Sequence, residues 1–450
     1  MKYLFLISLY LIQSSLNVAA TGTIGTEFVL SFPNIKLNND HYKIFCSNDN
    51  YDYASIVVKW WSLKDKETKT DNFTITPLGY NEYIFDKTEV VFTSYSGYAE
   101  VIYIPENRIT ISSNIPIRVV ANFYSFDPIF NNIHLVPSIE SLGKNYMIQL
   151  PEPDVDQFQL IQLLPLEIDT KIELTHYVNG VLLVKSDLVL QSAFGSEQLT
   201  LVRQQSNLTV NSSFLIESDQ PIAVVAAVTC KIISYNCIYL SFMPQALPSY
   251  ANGMVDSKIF SLTDYTSIVT LLPRGEASIN IVGANGYEIT QSMPDHINTP
   301  YNYQFTLSDE VEYLINLPNV SVTASRHFTD KFGSTFSYYF SGSCITNLLP
   351  VSGFITGRHL IPLTGDQKYL EIYTDLKNMY NIILDYKYIY YWNPHVKNLL
   401  STDFEYVALL VDLTQFQDPT ILLYSSGRYM AYFFNIWNGR LGCYEIGYNN

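Results

Sequence analysis

Residues 214–237 read FLIESDQPIAVVAAVTCKIISYNC, and this stretch decides the fold. An alternating apolar run leads into the polar residues 217–220, which are followed by Pro221 and a second apolar run, 222–228. Proline suits the first residue of a strand, because its missing N–H is not yet needed by a ladder. The stretch therefore predicts one strand, a polar turn at 217–220 and a second strand.

The same design recurs along the chain. The segment SNIPIRVVA at residues 113–121 matches SDQPIAVVA at residues 218–226, which is a spacing of about 105 residues. The pairs Asn179-Gly180 and Asn285-Gly286 repeat at nearly the same spacing. Asn-Gly between alternating strands predicts a two-residue hairpin, because both positions of a type I′ turn need a positive φ. Residues 74–79 of the first repeat are expected to take the same place.

Four repeat units follow from these landmarks, with prolines near their junctions. A glycine-led segment opens the first two units, GTEFVLSFP at 25–33 and GKNYMIQLP at 143–151, and a shorter form, GRHLIP, stands at 357–362. The predicted units are residues 21–136, 137–244, 245–350 and 351–450. About seven short strands per unit predict an all-β fold, a tandem repeat of about four β-sandwich-like units. The alternative is a β-propeller built from two blades per unit, and residues 369–380 are the best helical candidate.

Composition and the N-terminus predict an exported globular protein. Of 450 residues, 48% are hydrophobic and 15% charged, and the 36 tyrosines and 25 phenylalanines favour strands. Residues 1–20 are predicted to be a signal peptide, with Lys2, an apolar core at 3–12 and small residues at 18–20. The core is too short to span a bilayer, so we expect no membrane span. A net charge of −16 disfavours nucleic acid as a partner.

Four glycosylation sequons agree with secretion. They begin at Asn72, Asn207, Asn211 and Asn319.

Five cysteines predict disulfide bonds in an oxidising compartment. Cys230 and Cys237 bracket a short polar loop and are the predicted pair. Cys46, Cys344 and Cys443 leave one further bridge open, with the third thiol either free or joined to another chain. A Cys46–Cys443 bond would tie the first unit to the last.

No catalytic, cofactor or metal motif is present in the sequence. It contains neither HExxH, nor Gly-x-Ser-x-Gly, nor a glycine-rich phosphate loop, and no two of its seven histidines have metal-ligand spacing. The acidic segments 49–52 and 152–156 carry oxygens suited to Ca²⁺, but they are interpreted as solvated turns. We therefore predict no enzyme activity, no cofactor and no metal. The aromatic run at 386–392, YKYIYYW, is either a recognition surface or core, and core packing is favoured.

The repeated segments resemble a known family. GTEFVLSFP at 25–33, SSNIPIRVVAN at 112–122 and ESDQPIAVVAAVTC at 217–230, together with Cys237, resemble the N-terminal domain of the IgGFc-binding protein family. The resemblance covers most of the mature chain and is strongest in the first two units. Residues 238–244, IYLSFMP, depart from the acidic-leucine segment of that family. The resemblance implies a secreted, non-enzymatic mucus or matrix protein, without implying antibody binding, and no binding residue carries over.

We therefore predict a secreted extracellular glycoprotein of binding, adhesion or mucus-matrix type. Its expected partner is another extracellular protein or a glycan. The alternative is a secreted carbohydrate-active hydrolase on a β scaffold, which would need two carboxyl groups about 5–10 Å apart in a cleft. A third interpretation is a matrix component that is cross-linked to a partner through an unpaired cysteine.

Overall fold

The computed structural model describes about three quarters of the chain. The described residues are 22–33, 40–92, 101–126, 129–151, 153, 158–178, 181–191, 193, 195, 199–205, 212–233, 236–247, 254–256, 265–274, 277–283, 288–293, 303–307, 313–316, 321–330, 344–400, 405–437 and 440–449. The predicted signal peptide lies outside them.

The described chain is built almost entirely from antiparallel strands. The first unit contains β1 (Gly25–Leu30), β2 (Asp40–Ser47), β3 (Ala54–Ser62), β4 (Glu67–Ile75), β5 (Tyr80–Phe85), helix α1 (Lys87–Val90), β6 (Val101–Ile104), β7 (Ile109–Phe126) and β8 (Ile129–Val136). The second contains the 3-10 turn η1 (Ile139–Ser141), β9 (Gly143–Leu150), β10 (Phe158–Pro165), β11 (Thr170–Val178), β12 (Val181–Leu190), β13 (Leu199–Gln205), β14 (Ser212–Ile233) and β15 (Asn236–Phe242).

The second half of the chain continues the series. The third unit contains β16 (Met254–Asp256), β17 (Tyr265–Arg274), β18 (Ala277–Gly283), β19 (Glu288–Met293), β20 (Tyr303–Leu307), β21 (Tyr313–Asn316), β22 (Ser321–Asp330) and β23 (Cys344–Asn347). The fourth contains η2 (Val351–Gly353), β24 (Ile355–Pro362), β25 (Gln367–Asp375), η3 (Met379–Asn381), β26 (Ile383–Leu384), β27 (Lys387–Tyr388), η4 (Ile389–Trp392), β28 (His395–Leu400), β29 (Glu405–Asp412), β30 (Thr420–Trp437) and β31 (Arg440–Glu445).

One long strand organises the first, second and fourth units. We call β7, β14 and β30 the hub strands, because each pairs with four others. The sheet orders are β4-β3-β7-β2-β5, β12-β11-β14-β10-β13-β6 and β27-β26-β30-β25-β29-β28. Corresponding strands thus occupy corresponding places, and the sequence repeat is a structural repeat. Strand β6 crosses a unit boundary, since it pairs with β13.

Each hub strand turns a corner between two layers. The first part of β14 pairs with β11 through Ser218, whereas the part from Ile222 onward pairs with β10. Its ladder with β9 is interrupted between Glu217 and Ile222. A strand that changes partners across an irregularity in this way forms the corner of a sandwich. The SDQP segment is this corner.

The predicted polar turn at 217–220 is therefore wrong, because these residues lie inside the continuous strand β14. Pro221 does not begin a strand either, and its missing N–H falls at the corner, where the ladder to β9 is interrupted. The helical candidate at 369–380 is also wrong. Its first part belongs to β25, where Leu370 and Ile372 are buried against the hub strand β30.

The hairpin predictions have mixed outcomes. The residues flanking Asn179-Gly180 pair across the turn, Val178 with Val181, and β18 pairs with β19 around Asn285-Gly286; both dipeptides themselves lie outside the described residues. The prediction for residues 74–79 is wrong. The equivalent hairpin of the first unit is β3–β4, which turns at residues 63–66.

The last strands of the four units meet at the centre of the described structure. Strand β8 packs against β15 and β31, and β23 packs against the same two strands, so the four units close a ring. The Tyr448 N–H donates to Thr23 Oγ1 at 3.2 Å, which joins the last unit to the first. The prediction of an all-β chain of tandem sandwich-like units is confirmed. The exact unit boundaries stay predictions.

Candidate functional site: a tyrosine hairpin on the fourth unit

The hairpin β26–β27 occupies the same place in its unit as β3–β4 and β11–β12, but it is much shorter. Ile383 pairs with Tyr388 and Leu384 with Lys387, so two residues form the turn. Asp385 and Tyr386 have φ angles of 47° and 62°. Positive φ at both central positions defines a type I′ turn, which matches the twist of an antiparallel hairpin.

The turn is unusual because a tyrosine takes a conformation that favours glycine or asparagine. The surrounding chain holds it in place. The Asp385 N–H donates to the Leu422 carbonyl at 2.8 Å, and the Ile389 N–H donates to the Ile382 carbonyl at 2.9 Å. Positive φ also occurs at Lys66, in the turn of the equivalent hairpin β3–β4, so the conformation alone assigns no function to the hairpin.

Exposed tyrosines surround this turn. The four tyrosines of the hairpin and of η4 are between 47% and 76% exposed, and Tyr380 and Tyr424 are exposed nearby. We call these six residues the tyrosine surface; they are Tyr380, Tyr386, Tyr388, Tyr390, Tyr391 and Tyr424. The interpretation of the run 386–392 as core is wrong for its tyrosines.

The tyrosine surface is continuous. Tyr388 and Tyr424 both lie opposite Ile383 on neighbouring strands, so the three side chains form one row on one face. The ring centroids of Tyr388 and Tyr390 are 5.7 Å apart, and those of Tyr390 and Tyr391 are 4.4 Å apart. The turn η3, which carries Tyr380, packs against η4. A contiguous exposed aromatic patch marks a binding surface, whereas a single exposed aromatic residue would need no explanation.

Buried groups beneath the surface keep it rigid. Ile389 is fully buried in the core of the fourth unit, and Trp392 packs against the same core. The Trp392 Nε1–H donates to the Leu384 carbonyl at 2.9 Å, and its ring lies 5.7 Å from that of Phe416. Tyrosines on a rigid support lose little conformational entropy on binding, because each has only two side-chain torsions.

The electrostatics of the surface are mild. Burial, together with the nearby charge of Asp418, raises the pKa of the Asp385 carboxyl above its usual value. A hydrogen bond with Tyr391 raises the pKa of the Tyr390 hydroxyl. The Lys387 ammonium lies 5.8 Å from the centre of the Trp392 ring. The surface therefore offers aromatic rings and hydroxyl groups, with the Lys387 ammonium and the Asp385 carboxyl beside them.

Buried charges elsewhere join the units. The Arg118 guanidinium donates to Asp49 Oδ2 and to the Leu360 carbonyl, both at 3.0 Å, and it contacts His359. Burial opposes ionisation of Asp49, but Arg118, His359 and the Leu360 N–H outweigh it and hold the pKa of Asp49 below its usual value. The solvated-turn interpretation is therefore wrong for Asp49, whereas 152 and 154–156 of the second acidic segment lie outside the described residues.

Two further buried ion pairs lie where units meet. Arg326 Nη1 of the third unit donates to Glu371 Oε1 of the fourth at 2.8 Å. Arg108 pairs with Glu106 and donates to the Pro165 carbonyl of the second unit at 2.6 Å. A buried charge is tolerated only when it is paired in this way.

Glu445 is held differently, because an amide rather than a cation faces it. Asn347 Nδ2 of β23 donates to Glu445 Oε1 of β31 at 2.7 Å, between the third and fourth units. Burial raises the pKa of Glu445 to about 7. Within the described part of the chain, no group of three or more His, Cys, Asp or Glu is placed to hold a metal ion.

The five cysteines comprise one disulfide pair, one buried free thiol and one pair whose side chains lie outside the described residues. Cys344 and Cys443 form a disulfide between β23 and β31, with Cα atoms 5.8 Å apart. Cys46 is a buried free thiol in β2, and burial raises its pKa. The Cys46–Cys443 alternative is therefore wrong. Cys230 and Cys237 lie on the paired strands β14 and β15, but their side chains are outside the described residues.

Of the four sequons, one lies in the described chain. Asn72 is exposed on the edge strand β4. Asn207, Asn211 and Asn319 lie outside the described residues. A glycan on Asn72 would project from the hairpin β3–β4 into solvent without disturbing the core.

The sequence pattern missed the tyrosine hairpin for an identifiable reason. Its turn carries Asp-Tyr where an Asn-Gly pair would announce a type I′ turn, and its strands are too short to show alternation. The one usable signal was the density of tyrosines, and burial was the ordinary interpretation of it.

The long apolar helix that would be needed to cross a bilayer is not found among the described residues.

No protein-family profile matches the chain, and no curated protein matches it. Among solved structures, the chain is similar to the viral chemokine-binding protein R17 encoded by rodent gammaherpesvirus Peru, at 10% identity and a TM-score of 0.16, over 69% of this chain and 86% of that one. It is also similar to a tetra-tandem repeat from the extending region of a large adhesion protein, at 10% identity and a TM-score of 0.11, over 90% of this chain and 93% of that one. At these scores, we draw no inference from either likeness.

Proposed function

We propose that this chain is a secreted, non-enzymatic binding glycoprotein of the extracellular space, of adhesion or mucus-matrix type. The tyrosine surface carries the proposal. Six exposed tyrosines on and around a rigidly held hairpin are the kind of anchor that dominates recognition of proteins, and their faces also stack on sugars. The motifs shared with the IgGFc-binding family support the same class of function. The partner is another extracellular protein or a glycan.

The disulfide and the exposed sequon at Asn72 support an extracellular location. The Cys344–Cys443 bond closes a loop of about 100 residues, and such bonds persist in oxidising compartments. Secretion is tested by expressing the full chain in cultured eukaryotic cells. We expect the mature protein in the medium, beginning after residue 20 and shifted in mass by glycosidase treatment. Retention in the cytosol with free thiols at Cys344 and Cys443 would contradict it.

The hydrolase alternative needs two carboxyl groups that face each other across a cleft. The buried carboxylates Asp49, Glu106 and Glu371 are instead paired with arginines, and Glu445 accepts from Asn347. The contacts of Asp49, Glu371 and Glu445 link units and that of Glu106 lies within the first unit, so none of these four carboxyl groups favours the hydrolase.

Binding is tested with the mature chain on arrays of secreted proteins and of glycans. The test variant is Tyr386→Ser/Tyr391→Ser, and the matched control is Tyr53→Ser/Tyr103→Ser, which removes two exposed tyrosines outside the surface. Hot-spot tyrosines typically contribute more than tenfold each, so we expect binding to fall by about a hundredfold in the test variant only. Equal binding by the test variant and the control would remove the tyrosine surface from the proposal.

A further inference from the structure

The edge strand β12 carries a pattern that fits a second copy of itself. Within the described residues, β12 lies at the end of its sheet and pairs with β11. The outer backbone groups of such a strand can receive another strand. Four apolar residues of this edge are exposed, Val181, Leu182, Leu183 and Val189, and exposed Lys185 and Asp187 stand between the last two.

The exposed side chains of β12 alternate with inward-facing ones. From the β-bulge near the turn onward, the exposed residues are Leu183, Lys185, Asp187 and Val189. Leu183 and Val189 are 49% and 48% exposed. The exposed face therefore reads apolar, positive, negative, apolar along the strand.

This order is complementary to itself when a second copy runs antiparallel. If Ser186 of one copy faces Ser186 of the other, Lys185 of each copy lies opposite Asp187 of the other. Leu183 of each copy then lies beside Val189 of the other. Each contact therefore occurs twice in the dimer. Opposite charges and apolar pairs directly across an antiparallel ladder are stabilising. The same surface patch serves on both copies, which is the condition for a twofold interface.

The charges next to β12 point to the same partner. Asp187 lies directly opposite Glu173, and Glu173 lies directly opposite Glu217, so three carboxylates stand in one row across the sheet. Like charges in such positions are destabilising. Lys185 Nζ lies 2.8 Å from Glu173 Oε1 and already balances that residue. Lys185 of a second copy would bring a further positive charge opposite Asp187.

The equivalent edge of the first unit lacks these features. Strand β4, ETKTDNFTI, is mainly polar and exposed, and it carries the sequon at Asn72. This order of exposed apolar and charged residues is therefore a property of the β12 sequence and not of the fold. We propose that the protein forms a dimer through antiparallel pairing of β12 with β12 of a second copy.

The test measures the oligomeric state of the mature chain by sedimentation at increasing protein concentration. Because the ladder is short, we expect a weak dimer, with a dissociation constant on the order of 10 µM. Lys185→Asp and Asp187→Lys each place like charges opposite each other twice per dimer. Each should weaken the dimer by about tenfold.

The double variant Lys185→Asp/Asp187→Lys restores opposite charges in this register, so it should dimerise to within about threefold of the wild type. The control Glu67→Lys, on the edge strand β4, should leave dimerisation unchanged. The double variant also keeps a cation beside Glu173 of its own chain, so rescue is interpreted together with the protection of the β12 amides, which an effect within the monomer would not change with protein concentration.

Hydrogen exchange gives an independent measurement. Amides of residues 184–188 should become more protected as the wild-type concentration rises. A monomer at all concentrations, a dimer indifferent to both charge reversals, or failure of the double variant to recover would overturn the proposal. So would protection of these amides that appears only when a different protein is added, because that result would assign the edge to a foreign strand.

Discussion

The centre of the ring and the outer hairpins differ in what their residues do. At the centre, the last strands β8, β15, β23 and β31 meet through a disulfide, buried amides and a buried carboxyl. At the periphery, three hairpins occupy equivalent positions in their units, and each presents a different surface. These are a mainly polar edge on β4, an apolar edge on β12 and the tyrosine surface around β27. The centre holds the units together, whereas the exposed faces of the hairpins carry different residues in each unit.

The largest effect on stability is expected at the centre, from removing the disulfide. Cys344→Ala/Cys443→Ala frees a loop of about 100 residues and should lower the free energy of unfolding by about 4 kcal/mol. Denaturant unfolding with and without reductant measures this. The control Cys46→Ala removes a buried thiol without opening a loop and should lose about 1 kcal/mol. A double variant no less stable than this control would show that the bond does not hold the ring.

A smaller effect at the centre should depend on pH. The pKa of Glu445 is about 7 in the folded chain, against an ordinary value of 4.5. Because folding raises this pKa, the stability contribution is fully present below pH 4.5 and is lost as the pH rises through 7. The loss between pH 4.5 and pH 8 is about 3 kcal/mol for a buried carboxyl.

Glu445→Gln keeps an oxygen for Asn347 but cannot ionise. The difference in unfolding free energy between variant and wild type should therefore grow by about 2.5 kcal/mol between pH 5 and pH 8, in favour of the variant. Burial lowers the pKa of His134 to about 3, but His134 titrates in both proteins and cancels in the difference. If the stability difference between variant and wild type did not change with pH, the prediction that folding raises the pKa of Glu445 would be contradicted.

The smallest stability effect is expected at the tyrosine hairpin, where function and stability should oppose each other. Tyr386→Gly relieves a positive φ but adds backbone entropy to the unfolded chain, for a net gain of about 0.5 kcal/mol. Binding to the partner should weaken. Lys66→Gly, at a φ of 60° in the turn of β3–β4, should give a similar gain without loss of binding. If Tyr386→Gly and Lys66→Gly bound the partner equally well, Tyr386 would have no role in binding.

Local sequence patterns predicted part of this architecture well. The alternating segments around the Asn-Gly pairs predicted strands and hairpins, because side-chain period and turn chemistry act over a few residues. The repeat predicted that one hub strand would recur. The corner at SDQP was predicted as a turn, because a polar segment before proline has the same local preferences in a turn and in a bent strand.

What the sequence determined by itself was the all-β class, the repeat and the spacing of its landmarks, since these follow from short-range periodicity. Only the tertiary structure decided the closed ring, the Cys344–Cys443 pairing and the burial of Asp49 against Arg118. It also decided that the tyrosines at 386–391 are exposed. These depend on which residues distant in the chain come to share one environment, and a local pattern cannot report whether a neighbouring layer covers a side chain.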